Sequence, residues 1–171
     1  MIEEVILVNT NNEVQGYMEK MEAHKKGLLH RAFSIFIFNS KGEILLQQRA
    51  KHKYHSGELW TNTCCSHPRK NESFLEAANR RLNEEMGLFC QLDEVFSFIY
   101  KADLDNGLIE HEFDFVFFGK TNALPILNID EAMDYKYIKP EQLLLDIQNN
   151  PESFTEWLKI SFNQVYKLIS K

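Results

Sequence analysis

The stretch WTNTCCSHP, residues 60–68, places two cysteines side by side and a histidine two residues later. A disulfide, a metal site and a catalytic thiol all use such side chains. The chain has three cysteines, and adjacent cysteines rarely bridge each other because the eight-membered ring is strained. We therefore expect at least one of Cys64 and Cys65 to be a free thiol, and we expect Cys90 to serve in packing.

Histidines and carboxylates elsewhere in the chain form a second candidate site. His24 and His30 flank a short segment before an apolar run, and His67 follows the cysteine pair. Glu110 and Glu112 are two apart in a predicted strand, so both carboxylates point to the same side. Three imidazoles and two carboxylates suit one divalent ion. The alternative is that each histidine packs separately and that the two glutamates lie on a solvated strand face.

Carboxylates on a helix predicted over residues 72–88 suit magnesium. Glu72 lies at the start of this helix, and Glu84 and Glu85 lie near its end. Carboxylates in this arrangement can hold Mg2+ against phosphate oxygens. A solvated helix face is the simpler interpretation of Glu72 or Glu84 alone.

Cationic side chains gather near the same segments. Arg49, Lys51 and Lys53 lie near the exit of a predicted hairpin, and Arg80 and Arg81 lie on the helix. The chain is acidic overall, with a formal net charge of -6. Cations around a candidate site in such a chain favour an anionic ligand, although a solvated surface explains any single one equally well.

The elements that position these residues follow from the apolar patterning. We predict a strand at 4–9 with a turn at 9–16, a loop or short helix at 17–27, and a hairpin over 30–50 around 39–42. Residues 51–70 form a long irregular connection. Two strands over 94–120 surround a turn at 105–107, a further strand covers 134–138, and helices cover 140–148 and 152–169. This mixed order predicts helices packed on a mixed sheet.

The clearest helix covers residues 72–88. Ser73 and Glu76 have the spacing of a capping box, and Gly87 fits the C-terminal stop. The predicted apolar stripe consists of Phe74, Ala78 and Leu82, with Leu75 beside them.

Length, charge and hydropathy limit the classes of protein. The chain has 171 residues, 44% of them hydrophobic, so we expect one folded domain over 1–171. The net negative charge argues against nucleic acid as a partner. No stretch approaches the roughly 20 apolar residues of a membrane span, and the first apolar run is too short for a signal peptide. We expect a cytoplasmic protein without a membrane partner.

The helix and its approach resemble the Nudix box, G-x5-E-x7-R-E-U-x-E-E-x-G-U, in which U is a bulky aliphatic residue. The matching positions are Glu72, Arg80, Leu82, Glu84, Glu85, Gly87 and Leu88. Ser66 replaces the first glycine, and Arg81 replaces the glutamate that follows the arginine. That glutamate belongs to the metal cluster of Nudix hydrolases, so its loss argues against ordinary hydrolysis.

Within that superfamily, the chain resembles the type 1 isopentenyl-diphosphate isomerases. The resemblance rests on WTNTCCSHP, on IEHE at 109–112, on HKKGLLHRAFS at 24–34 and on DEAMDY at 130–135. It extends through Trp157, with one difference: His24 and His30 are one residue closer together than in bacterial members. The resemblance implies a Nudix-type mixed sheet flanked by helices, an α/β (α+β) fold.

The resemblance also implies roles for individual residues. The catalytic residues would be Cys65, Glu112, Tyr100 and Trp157, and Cys64 fills a position that need not be cysteine. The diphosphate of a small prenyl substrate would be bound by Lys20, Arg49, Lys53 and Arg81. One metal site, for Mn2+ or Zn2+, would use His24, His30, His67, Glu110 and Glu112. A second site, for Mg2+, would use Glu85 with a backbone oxygen near Cys65.

Two other functions fit parts of the sequence. One is a Nudix pyrophosphohydrolase, against which Arg81 argues. The other is a non-enzymatic zinc-binding domain built on the cysteines and histidines, although adjacent thiolates lack the C-x2-C spacing of structural zinc sites. We expect the protein to be a monomer or a weak homodimer.

Overall fold

The computed structural model describes residues 3–171 and confirms the prediction of helices packed on a mixed sheet. The strands of the sheet are β1 (Glu4–Val8), β2 (Val14–Glu19), β3 (His30–Phe38), β4 (Ile44–Arg49), β5 (Trp60–Thr61), β6 (Cys64–Ser66), β7 (Leu92–Asp103), β8 (Ile109–Lys120) and β9 (Ala132–Ile138). The helices are α1 (Lys20–Lys26), α2 (Phe74–Met86), α3 (Pro140–Asn149) and α4 (Glu156–Ile169). Over residues 3–171, no helix is long and apolar enough to cross a membrane.

Strand β3 lies at the centre of the sheet. It pairs with β8 in parallel along its whole length, and it pairs antiparallel with β6 and, near its end, with β4. The register sets His30 opposite Glu112 and Ser34 opposite Cys65. Segments that are distant in the chain therefore bring their polar side chains together on β3.

Two apolar layers hold the helices to the sheet. Because side chains of a strand alternate, Phe33, Ile35 and Ile37 of β3 face one layer, which includes the buried side of α2. Phe36 and Phe38 face the other layer, with residues of α3 and α4. A strand covered on both faces has an almost continuous apolar sequence, as β3 does.

Helix α2 begins and ends as the sequence predicts. The Ser73 side chain accepts from the backbone N–H of Glu76, and the Glu76 side chain accepts from the backbone N–H of Ser73, which forms the capping box. Gly87 has a φ of 63°, and a Cβ there would lie 2.8 Å from Ile126, so glycine is required for two reasons. One member of the predicted stripe was wrong: Leu75 is 46% exposed, whereas Ala77 and Met86 are buried.

Several predicted boundaries were also wrong. The turn ends early, because β2 begins at Val14. The polar segment after it forms helix α1, which was one of the two predicted alternatives. The irregular connection contains β5 and β6, so Cys64 and Cys65 belong to a short strand. Residues 151–153 form a 3₁₀ turn, and α4 begins only at Glu156. Short strands such as β6 form through pairing with a neighbour, which local sequence does not encode.

Candidate active site

Strands β7 and β8 bring three polar side chains together. The pairing sets Tyr100 opposite Glu112 and places Glu110 one pleat away on the same face. The Tyr100 hydroxyl lies 2.8 Å from Glu110 Oε2 and 2.6 Å from Glu112 Oε2, so its single proton serves one carboxylate at a time. All three side chains are buried, which is costly for two carboxylates without a compensating cation.

Three imidazoles surround Glu112 from the other side. The Nδ1 atoms of His24 and His30 lie 2.7 and 2.8 Å from the backbone carbonyls of Lys20 and Leu28, and hence donate to them. In this tautomer the Nε2 lone pairs face the cluster, and neither Nε2 has a hydrogen-bond partner among the described residues. His67 Nε2 lies 3.0 Å from Glu112 Oε1. A carbonyl behind the imidazole, as His24 and His30 have, is a usual support of a metal ligand.

The electrostatics of this cluster also fit a divalent ion. Burial lowers the pKa of His67 to about 4 and lowers the pKa of His24, so both imidazoles are neutral near pH 7. Burial, together with the charge of Glu112, raises the pKa of Glu110 well above its usual range. Ligand atoms of His24, His30, His67 and Glu112 all lie within 4.8 Å of one another. Neutral nitrogens beside buried carboxylates are the donor set of a metal centre.

The two adjacent cysteines have different surroundings. Because side chains of β6 alternate, Cys64 is buried in the apolar layer under α2, whereas Cys65 lines a small cavity on the other face. The cavity also contains Glu110, Glu112 and Trp157. Burial raises the pKa of the Cys65 thiol, which therefore keeps its proton at neutral pH.

The cavity wall opposite β8 is an aromatic ring held in place. Trp157 of α4 is buried, and its Nε1–H donates to Asn62 Oδ1 at 3.2 Å. The guanidinium carbon of Arg49 lies 5.1 Å from the ring centre. The Arg49 Nε and Nη2 groups donate to the carbonyls of Ser56 and His55, so Arg49 is not free to move toward an anion without breaking these bonds.

The other predicted diphosphate ligands line a neighbouring basin of about 680 Å³. Lys20 pairs with Glu3 at 3.0 Å, Lys53 pairs with Glu131, and Arg81 pairs with Glu131 at 2.9 Å. Burial acts to raise the pKa of Glu131, but these ion pairs outweigh it and lower that pKa to about 2. The basin is cationic, and its cations are held by carboxylates.

Glu85 is the buried carboxylate of the predicted magnesium site. Arg81 Nη2 donates to its Oε1 at 2.7 Å, and Gln47 Nε2 donates to its Oε2 at 3.0 Å. Mg2+ commonly binds to one or two carboxylates together with substrate phosphates. Both oxygens of the Glu85 carboxylate are already hydrogen-bonded. This single carboxylate therefore suits a Mg2+ ion that arrives together with a phosphate better than it suits a permanently bound ion. Arg81 stands at the position of the Nudix box where the resemblance implies a metal-binding glutamate in the hydrolases.

The sequence prediction missed three polar residues that line the cavity, which are Tyr54, His55 and Ser66. His55 is buried, and its Nε2 lies 3.4 Å from Glu110 Oε1. Ligand atoms of His24, His55 and Glu110 form a second group within 4.8 Å. Sequence alone does not distinguish His55 from His52, which is exposed three residues earlier in the same loop.

Comparisons with known proteins place the chain in a fold class. The NUDIX domain model matches residues 28–158. A Deinococcus radiodurans crystal structure superposes with a TM-score of 0.79 over 95% of this chain and 98% of the other, at 20% identity. The structure of the MutT protein of Methanosarcina mazei superposes with a TM-score of 0.69 over 84% of this chain and 96% of the other, at 19% identity. The protein is therefore of the Nudix class, and these two structures establish the fold alone.

Sequence relatives narrow the class to one family. Isopentenyl-diphosphate Delta-isomerase 2 of Aromatoleum aromaticum is 50% identical over 96% of this chain and 87% of its own length. The isopentenyl-diphosphate Delta-isomerase of Pectobacterium atrosepticum is 51% identical over 95% and 90%. The chain belongs to the type 1 isopentenyl-diphosphate Delta-isomerase family.

Proposed function

We propose that this protein interconverts isopentenyl diphosphate and dimethylallyl diphosphate with Cys65 and Glu112 as its proton-transfer pair. A proton adds to the terminal alkene carbon and leaves a tertiary carbocation at C3, and a different proton then leaves from C2. The observation that carries the proposal is one buried cavity lined by a thiol, a carboxylate and an aromatic ring. These are the groups that such a reaction requires.

The protonation states of the pair support this assignment. Burial raises the pKa of Cys65, so the thiol holds a proton. Burial acts to raise the pKa of Glu112 as well, but the neighbouring imidazoles of His30 and His67, the latter 3.0 Å away, outweigh it and hold that pKa well below its usual range. One protonated and one ionised group are what an interconversion needs, since each group donates in one direction and accepts in the other.

The remaining cavity residues support the intermediate without trapping it. The face of Trp157 attracts a cation but does not form a bond with it. Tyr100 contacts both carboxylates and orients the one that exchanges a proton. The cavity is only about 30 Å³, enough for a water molecule or two, so substrate entry requires its lining to move and leaves little space for water.

Two ions complete the proposed site. His24, His30, His67, Glu110 and Glu112 would hold Mn2+ or Zn2+, and Glu85 would hold Mg2+ that enters with the diphosphate, together with a backbone oxygen near Cys65. When bound, these ions supply positive charge that compensates the buried carboxylates and the phosphate oxygens.

The cationic basin would receive the diphosphate. Lys20, Lys53 and Arg81 line it, and each would exchange a carboxylate for a phosphate oxygen when the substrate binds. Arg49 is proposed as the fourth ligand on the cavity side, where it lies beside Trp157. We expect a single-domain monomer or weak homodimer in the cytoplasm, which size-exclusion chromatography and fractionation would check.

Incubation of the metal-loaded protein with isopentenyl diphosphate in deuterated water tests the proposal. We expect deuterium in dimethylallyl diphosphate, and we expect Cys65→Ala to lower kcat by about 10²–10⁴-fold. Cys90→Ala is the matched control, because this half-buried thiol lies outside the cavity. Release of inorganic phosphate from nucleoside diphosphates without isomerisation would instead support a hydrolase.

A further inference from the structure

His55 lies in the site without an assigned role. It is 2% exposed, its ring lies 6.0 Å from the ring of His24, and its Nε2 has no hydrogen-bond partner among the described residues. Its Nδ1 lies 3.1 Å from Ser56 Oγ, which can accept a hydrogen bond from Nδ1–H and thereby leave the lone pair on Nε2. An imidazole supported in this way resembles the arrangement of His24 and His30.

The loop that carries His55 is held firmly in place. Arg49 donates to the carbonyls of His55 and Ser56, at 3.0 and 3.1 Å. The Asp105 carboxylate accepts from the Ser56 N–H at 3.2 Å, and Asn106 Nδ2 donates to the Tyr54 carbonyl. Ser56 has a φ of 51°, a left-handed conformation that is uncommon for serine and persists only where the surroundings impose it. The structure thus fixes the direction in which the His55 ring points.

The distances around the carboxylates match neighbouring ligands of one ion. His55 Nε2 lies 3.4 Å from Glu110 Oε1, His30 Nε2 lies 3.5 Å from Glu112 Oε1, and His67 Nε2 lies 3.0 Å from the same oxygen. Donors about 2.1 Å from a metal are roughly 3.0–3.4 Å apart when they are adjacent in octahedral or tetrahedral geometry.

His24 connects the two groups of donors. It belongs both to the group with His30, His67 and Glu112 and to the group with His55 and Glu110. Its Nδ1 is engaged by the Lys20 carbonyl, so only the Nε2 lone pair remains, and one lone pair binds one ion. The two groups are therefore the two sides of a single site.

We propose that His55 is a sixth protein ligand of the metal ion held by the histidines and glutamates, an inference that rests on the metal site of the proposed function. Four neutral imidazoles and two carboxylates then surround one divalent ion with no net charge. A six-donor set of this kind leaves no open position for substrate, unlike catalytic zinc sites with three protein ligands. The ion would act on the proton affinity of Glu112 and would not bind the substrate directly.

Metal binding by the full-length protein tests the proposal without substrate. Metal-free protein is titrated with Mn2+ against a competing chelator, and the coupled imidazole nitrogens of the bound Mn2+ are counted by electron spin-echo modulation. We expect one Mn2+ and four imidazoles. His55→Ala should lose one imidazole and bind Mn2+ at least about tenfold more weakly. His52→Ala, in the same loop but exposed, is the matched control and should change neither value.

Two other outcomes of the Mn2+ titration would overturn the proposal. Unchanged affinity and four imidazoles in the His55→Ala protein would mean that His55 is not a ligand, and two Mn2+ per chain would mean two sites. His55→Gln, which keeps more of the side-chain volume, gives the same readout if the alanine variant fails to fold. If the wild-type protein binds Mn2+ through four imidazoles but has no isomerase activity, the proposed reaction is refuted and the assignment of His55 as a ligand stands.

Discussion

The ion pairs of Glu131 allow a quantitative prediction about the cationic basin. The pKa of Glu131 falls from the usual 4.5 to about 2, because the ion pairs with Lys53 and Arg81 outweigh the effect of burial. A difference of about 2.5 units corresponds to about 3 kcal/mol of folding free energy, since one unit is about 1.4 kcal/mol. The side chain is 19% exposed, so solvent screening lowers the expected loss in Glu131→Gln to about 2 kcal/mol at pH 7.

The sign of the pH dependence follows from the lowered pKa. A carboxylate with a lower pKa in the folded state stabilises fully above its unfolded pKa, near 4.5, and loses this contribution as the pH falls toward about 2. The difference in the free energy of unfolding between wild type and Glu131→Gln should therefore shrink between pH 5 and pH 3.

Urea unfolding at several pH values measures this difference. Asp130→Asn is the matched control, because Asp130 precedes Glu131 in the same turn and is exposed. Its substitution should change the free energy of unfolding by less than about 0.5 kcal/mol. A cost below about 0.5 kcal/mol for Glu131→Gln at pH 7, or a difference that stays constant down to pH 3, would refute the reasoning.

Other predictions concern the cysteine in the core, the phenol, the helix cap and the metal. Cys64→Ala should cost about 1 kcal/mol in urea unfolding and leave kcat within about tenfold, because the thiol packs under α2; a dead variant would exchange the roles of the two cysteines. Tyr100→Phe should lower kcat with little change in KM, in steady-state kinetics, because the phenol contacts both carboxylates and lies outside the cationic basin. Ser73→Ala should lower the free energy of unfolding by about 1 kcal/mol relative to an exposed Ser40→Ala control, through loss of the capping box. Chelation should lower both Tm and activity, and Mg2+ with Mn2+ or Zn2+ should restore both, whereas full activity after verified metal removal would contradict the metal site.

The parts of the fold that local physics determines could be predicted from the sequence. Helix α2 has its own capping box and its own stop at Gly87, so both ends were predicted correctly. Strands β7 and β8 flank a turn, and their alternation places Glu110 and Glu112 on one face. Strand β6 and the exposure of Leu75 depend on distant partners, and neither was predicted.

The same distinction applies to the candidate site. The residues within recognisable motifs, such as Cys65, His67 and Glu112, were selected by residue type and by resemblance to the family's motifs, and the structure brings them to one cavity. His55 has no such spacing, and its place depends on Arg49, Asp105 and a left-handed Ser56. The carboxylate partners of Lys20, Lys53 and Arg81 were missed for the same reason, since ion pairs between distant residues leave no local signal.

The parallel pairing of β3 with β8 has a consequence for synthesis on the ribosome. The Ser34 hydroxyl of β3 donates to the Asp114 carboxylate of β8, and these two residues are 80 positions apart in the chain. At about 5–20 residues per second, β3 waits for at least several seconds before its partner leaves the ribosome. During that time an apolar strand that is buried on both faces in the finished fold has no neighbour on its β8 edge. The nascent chain should therefore depend on chaperones until β8 emerges, and the proposed metal ligands on β8 cannot join those on α1 and β3 any earlier.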